Sequence, residues 1–142
     1  MKHISVGFCL LLFVAVGAFA APNGQSVAPI AATVSSARFV YVTSYDGGEF
    51  SARPFPQDQK AIANVQDAIQ KWGKFVVVDN PQQADIVLVV QSRASEDILA
   101  LYDVHDWPAK NYLWREMGQN GLQAGETPLV TDLRAAWEKA VQ

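Results

Sequence analysis

Two kinds of apolar pattern alternate along this chain, and together they predict its elements. Residues 38–45, RFVYVTSY, are dense in β-branched and aromatic side chains and stop at Asp46-Gly47-Gly48, so they predict a strand followed by a turn. Beyond Pro54 and Pro56, Asp58 is placed to cap a helix in which Ile62, Val65, Ile69 and Trp72 recur every third or fourth residue, and Gly73 ends it. FVVV (75–78) and IVLVV (86–90) are continuous apolar runs, as strands covered on both faces require, and Asp79-Asn80-Pro81 separates them. ILALYDVH (98–105) and NYLWREM (111–117) flank a loop at 106–110, a hairpin pattern. Thr127-Pro128 then supplies an N-cap and a proline at the first helical position, and Leu129, Leu133, Trp137 and Val141 line one face of a closing helix.

The predicted fold is α/β, a two-layer α+β arrangement with a mixed five-stranded sheet in the order β-α-β-β-β-β-α. The first crossover is right-handed and sets strands one and two parallel. The link 79–85 is too short for a second parallel crossover, so strand three is expected to run antiparallel. The spatial order expected is 2-1-3-4-5, with both long helices on one face. That placement leaves a problem: the apolar runs ask for cover on both faces, and two helices supply one. The segment before residue 38, the loop 46–57 or a second molecule has to provide the rest.

The ends of the chain set the compartment. MKH, the apolar run ISVGFCLLLFVAVG and Ala18-Phe19-Ala20 have the layout of a secretory signal peptide, so 1–20 is expected to be removed after Ala20. The competing reading, an uncleaved anchor, needs about 20 apolar residues, more than this run offers. Residues 21–37 are rich in Ala, Ser and Pro and carry no charge, which predicts a flexible arm ahead of a single domain at 38–142. The single cysteine, Cys9, lies inside the leader, so the exported chain has no disulfide, thiol catalysis or cysteine-bound zinc. Of 11 basic residues Lys2 leaves with the leader, and ten against 14 acidic ones give a net charge of −4 with both signs scattered. No basic stripe offers itself to phosphates, which argues against nucleic acid as a partner. A periplasmic or secreted protein with no membrane span after cleavage is expected.

The strand FVYVTSYDGG, the helix ending KWGKFVVVDNPQQADIVLVV and the later LYDV and YLWRE together resemble small exported bacterial α/β proteins. The pattern is similar to the α/β domain of envelope assembly factors, including the TolB amino-terminal domain and the curli-secretion lipoprotein family. It spans most of 38–142, and its motifs are structural rather than chemical. The resemblance implies a non-enzymatic envelope or secreted domain that binds other proteins, and it carries over no catalytic residue. This chain departs from it in lacking a lipobox cysteine and a second domain.

Candidate chemistry gathers in the hairpin. Asp103 and His105 share a strand face, and Asp106 follows at the bend. Catalytic zinc commonly takes three protein ligands, more than one of them histidine, and only one histidine remains once His3 leaves with the leader. Asp103 orienting His105 would make an acid–base pair, although no activated nucleophile is signalled beside it. The simpler reading has Asp103 and Asp106 bonding the backbone where a strand ends. Gly47-Gly48 has neither phosphate-loop spacing. Aromatic side chains are the better binding candidates: Trp107 at the loop, Tyr112 and Trp114 on one face of strand five, and Phe50 and Phe55 in the long loop. Trp72 and Trp137 fall on apolar helical stripes and are expected in the core.

Three function classes follow. The first is an exported, non-catalytic domain that binds a protein partner or itself through a sheet surface and the hairpin, with no cofactor and no metal. The second is a small metal-assisted or acid–base hydrolase using Asp103, His105 and Asp106. The third is an aromatic-lined binder of envelope glycan.

Overall fold

The computed structural model describes residues 30, 34–44, 54–107 and 112–142. Its elements are β1 (Phe39–Ser44), α1 (Pro56–Trp72), β2 (Val76–Val78), β3 (Ile86–Ser92), β4 (Asp97–Asp103), β5 (Trp114–Gly118) and α2 (Pro128–Ala140). They form one mixed sheet in the order β2-β1-β3-β4-β5, as the patterning predicts.

One expectation fails. Strand β3 runs parallel to β1, which is also parallel to β2, and antiparallel pairing begins only between β3 and β4. The reason is the length of β2. It has three residues and ends where Val78 pairs with Tyr41, while β3 starts where Ile86 pairs with Val40. The link therefore has to fall back by only one position along β1. A single 3-10 turn (Pro81–Gln83), started by the Asn80 side chain accepting from the Gln82 N–H at 2.9 Å, carries the chain past the beginning of β1.

Both helices pack on one face, α1 over β1, β2 and β3 and α2 over β4 and β5. Strand alternation sends Val40, Val42, Ile86, Leu88, Val90, Leu99, Leu101 and Trp114 to that side. There they meet Ala61, Val65 and Ile69 of α1 and Leu129, Leu133 and Trp137 of α2. Phe75 joins the two helices through edge-to-face contacts with Trp72 and Trp137, at centroid distances of 5.2 and 4.8 Å. Ile30, Val34 and Ala37, all from the segment read as an arm, are buried in the same cluster.

The helix ends differ from the capping prediction in an informative way. Helix α1 starts at Pro56, which puts Asp58 in the first turn rather than at the cap; its carboxylate turns inward. Thr127 does precede α2, yet its hydroxyl donates back to the Gln123 carbonyl at 2.9 Å instead of capping, and its backbone is left-handed at φ 34°. Gly73 ends α1 as predicted. It sits at φ 73°, where a side chain would be strained, and its N–H reaches the Ile69 carbonyl at 3.2 Å.

Candidate functional site

The predicted hairpin chemistry resolves first into a turn. The Asp103 carboxylate accepts the His105 backbone N–H at 2.8 Å, and the Asp103 carbonyl accepts the N–H groups of Asp106 and Trp107 at 3.2 and 3.0 Å. A short polar side chain has curled the backbone on itself, which ends β4. Residues 108–111 lie outside the described residues.

Asp85, which the sequence reading did not single out, stands beside this turn. Its carboxylate accepts the N–H groups of Arg38 and Phe39 at 2.8 and 2.9 Å, and its own backbone bonds Phe39 and Val104. One residue thus ties the start of β1 to β3 and the end of β4. Asp85, Asp103, His105 and Ser36 border a shallow cavity of about 230 Å³. The His105 ring makes no hydrogen bond or ion pair with these carboxylates among the described residues. Nor is any group of three or more His, Cys, Asp or Glu placed to share a metal ion among them. As arranged, the cluster secures strands.

The Arg38 and Phe39 N–H groups, foremost, hold the Asp85 carboxyl below the usual carboxylate range; slight burial opposes them, and the charges of Arg38 and His105 help. A depressed folded pKa means that the charge stabilises the fold above the unfolded value, about 3.9, and stops doing so as pH falls through the folded one. Asp85→Asn keeps an acceptor and removes the charge. We expect it to lower stability by about 1 kcal/mol at pH 7, a modest effect because the group is exposed and screened. The gap between the urea midpoints of the variant and the parent should narrow as pH falls below about 3.9 and be gone once pH lies below the folded value. A gap that persists there would assign the effect to shape rather than charge.

The aromatic candidates divide between two faces. Trp114 is fully buried beneath the helices at 0% exposure, so its ring offers no binding surface. Tyr112 does not share its face. β5 begins only at Trp114, and Tyr112 meets Tyr102 edge-to-face at 6.5 Å, with the Arg115 guanidinium 6.0 Å from its ring. Tyr102 and Arg115 alternate with the core positions, so these groups belong to the opposite face, which carries no helix among the described residues and is called the helix-free face. Trp107 is on that face too and is not a free tip. Its ring packs edge-to-face on Tyr41 of β1 at 6.2 Å. Phe55, 51% exposed, lies elsewhere, with Arg93 5.8 Å from its ring, and Phe50 is outside the described residues.

The helix-free face therefore has a covered centre and an open periphery. Val87, between Tyr41 and Tyr102 in the pairing, is fully buried, and Val89 and Ala100 nearly so. The chain itself supplies part of the cover that the helix count leaves missing, since Trp107 reaches from the end of β4 to Tyr41 of β1. Around that centre Phe39 and Val76 are exposed at the β2 edge, and Tyr112 and Met117 at the β5 edge, at 53% and 43% for the latter two. Phe39, Val76 and Met117 were legible as alternate positions opposite the core, a signal obscured in FVVV and IVLVV because every residue there is apolar, whereas alternation set Tyr112 on the wrong face.

A separate polar cluster joins α1 to the far end of the sheet. Asp58 is fully buried; its carboxylate accepts the Ser92 N–H at 2.8 Å and pairs with the Arg93 guanidinium at 3.2 Å. The Ser92 hydroxyl donates to Asp97 at 2.7 Å, Asp97 accepts the Leu122 N–H at 3.1 Å, and Asn64 donates to the Leu122 carbonyl at 2.9 Å.

No helix among the described residues is long and apolar enough to cross a membrane. No family model matches the chain and no curated protein matches it, so the likeness to the TolB and curli-secretion domains rests on the residue pattern alone. Among solved structures, a PelC dodecamer from Paraburkholderia phytofirmans aligns over 83% of this chain and 96% of its own, at 17% identity and a TM-score of 0.37. At that TM-score the likeness assigns neither an activity nor a partner to this chain.

Proposed function

We propose that this chain is an exported, non-catalytic domain that binds a protein surface, either another protein or a second copy of itself, through the helix-free face of its sheet. One observation carries the reading. Exposed Tyr112 and Met117 flank Arg115 on a face that no helix of the described residues covers, and Tyr102 backs the Tyr112 ring. Tyrosine, methionine and arginine are among the residue types enriched at protein interfaces, where they present large contact area. Rings held edge-to-face are already ordered, so less side-chain entropy is lost on contact. The signal-peptide layout of 1–20 supports a periplasmic or secreted setting, and the mature protein should begin at Ala21 by intact-mass measurement.

The double variant Tyr112→Ser, Met117→Ser tests the surface. Both residues are exposed, so the melting temperature should stay within about 3 °C of the parent. In sedimentation, the parent purified from its own periplasm should run larger than a monomer and the variant as a monomer. Equal sedimentation of the two would reject this face.

A further inference from the structure

We propose that a second site, independent of the helix-free face, binds an uncharged, hydroxyl-rich ligand the size of a mono- or disaccharide. The site is the groove at the carboxyl ends of β3 and β5, between the first turns of α1, the β3–β4 turn and the segment after β5. Its volume is about 510 Å³. Sites for small molecules typically span about 300–1,000 Å³, and in open α/β sheets they gather at the carboxyl ends of parallel strands.

The chemistry of the walls selects the ligand. Five carboxamides border the groove, Gln57, Asn64, Gln119, Asn120 and Gln123. A carboxamide presents a donor and an acceptor side by side, which matches neighbouring hydroxyl groups, each of which both donates and accepts. The charged side chains of the lining balance, Lys60 and Arg93 against Glu96 and Asp97, and two of them are already bonded. Arg93 is paired with Asp58, and Asp97 is held by Ser92 and Leu122. An anion or a cation would meet a repelling charge for each attracting one, whereas an uncharged polyol meets neither. The aliphatic groups of the lining are three alanines and the buried Leu122, which leaves little purchase for the bulky apolar side chains of a peptide. Beside the groove, Phe55 is half exposed and has Arg93 next to its ring, an aromatic surface of the kind on which a sugar ring stacks.

Titration of the ¹⁵N-labelled chain from Ala21 with glucose, N-acetylglucosamine and its β-1,4-linked disaccharide, each to 50 mM, tests this, with inorganic phosphate as the charged probe. Saturable shifts at 57–64 and 119–124 with at least one sugar, and none there with phosphate, are expected. The exposed pair Gln57→Ala, Gln119→Ala should weaken that binding at least tenfold while leaving the rest of the spectrum in place. No saturable shift with any of the three sugars, shifts confined to Tyr112 and its neighbours, or preferential binding of phosphate would each overturn the proposal.

Discussion

Replacing Arg93 or Asp58 by alanine should destabilise the domain by about 3 kcal/mol in either case, which for a domain of this size lowers the melting temperature by roughly 12–20 °C. Arg93→Ala leaves a carboxylate with no exposed surface and only the Ser92 N–H as partner among the bonds described. Asp58→Ala instead strands that N–H, and the guanidinium, whose side chain is 31% exposed, still reaches water. The double variant should lose less than the sum, with a coupling of about 1–3 kcal/mol, since each single change already breaks the same pair. The damage should also spread. Asp58 bonds Ser92, and Ser92, Asp97, Leu122 and Asn64 form a chain of bonds that returns to α1, so one loss loosens the β3–β4 turn and the segment after β5 together. Thermal unfolding of the two single variants and the double checks this, and additive single losses would mean that the pair is not coupled.

Trp114→Ala should be at least as damaging, at about 4 kcal/mol, because it empties a large volume beneath α2 in a strand that pairs with β4 alone. Trp114→Phe should cost far less, about 1 kcal/mol. Phenylalanine keeps much of the packing and removes an indole N–H that is buried without a hydrogen-bond partner among the described residues. The two variants together distinguish a core tryptophan from an interface one. Urea unfolding should follow the volume lost, and the helix-free face should bind normally in Trp114→Phe. A Trp114→Phe protein that is stable but has lost binding would return this residue to the interface.

The order of elements and the order of strands could be read from the sequence because they depend on local signals: β-branched runs, a four-residue apolar repeat, and Gly73 and Thr127-Pro128 at helix ends. The direction of β3 could not. It turns on β2 being only three residues long, and FVVV contains nothing that says how much of it pairs. Tyr112 and Trp114 were set on one face by strand alternation, which holds only inside a strand, and the strand starts at Trp114. Trp107 read as a tip because its contact with Tyr41 joins residues far apart in sequence, across β3. The same limit hid Asp85 and the inward turn of Asp58. Each carboxylate finds backbone N–H groups that only the folded sheet brings near it.

The claim that the helix-free face is the binding surface is tested most directly by site-specific photo-crosslinking in the cells that make the protein, with a benzophenone side chain placed at Tyr112, at Met117 or, as a control, at Gln70 on the outer side of α1. Light should produce a discrete adduct from positions 112 and 117 and none from 70, and the adduct's mass shows whether it is a second copy of this chain or another protein. No adduct at 112 or 117, or an adduct as strong at 70, would contradict the assignment.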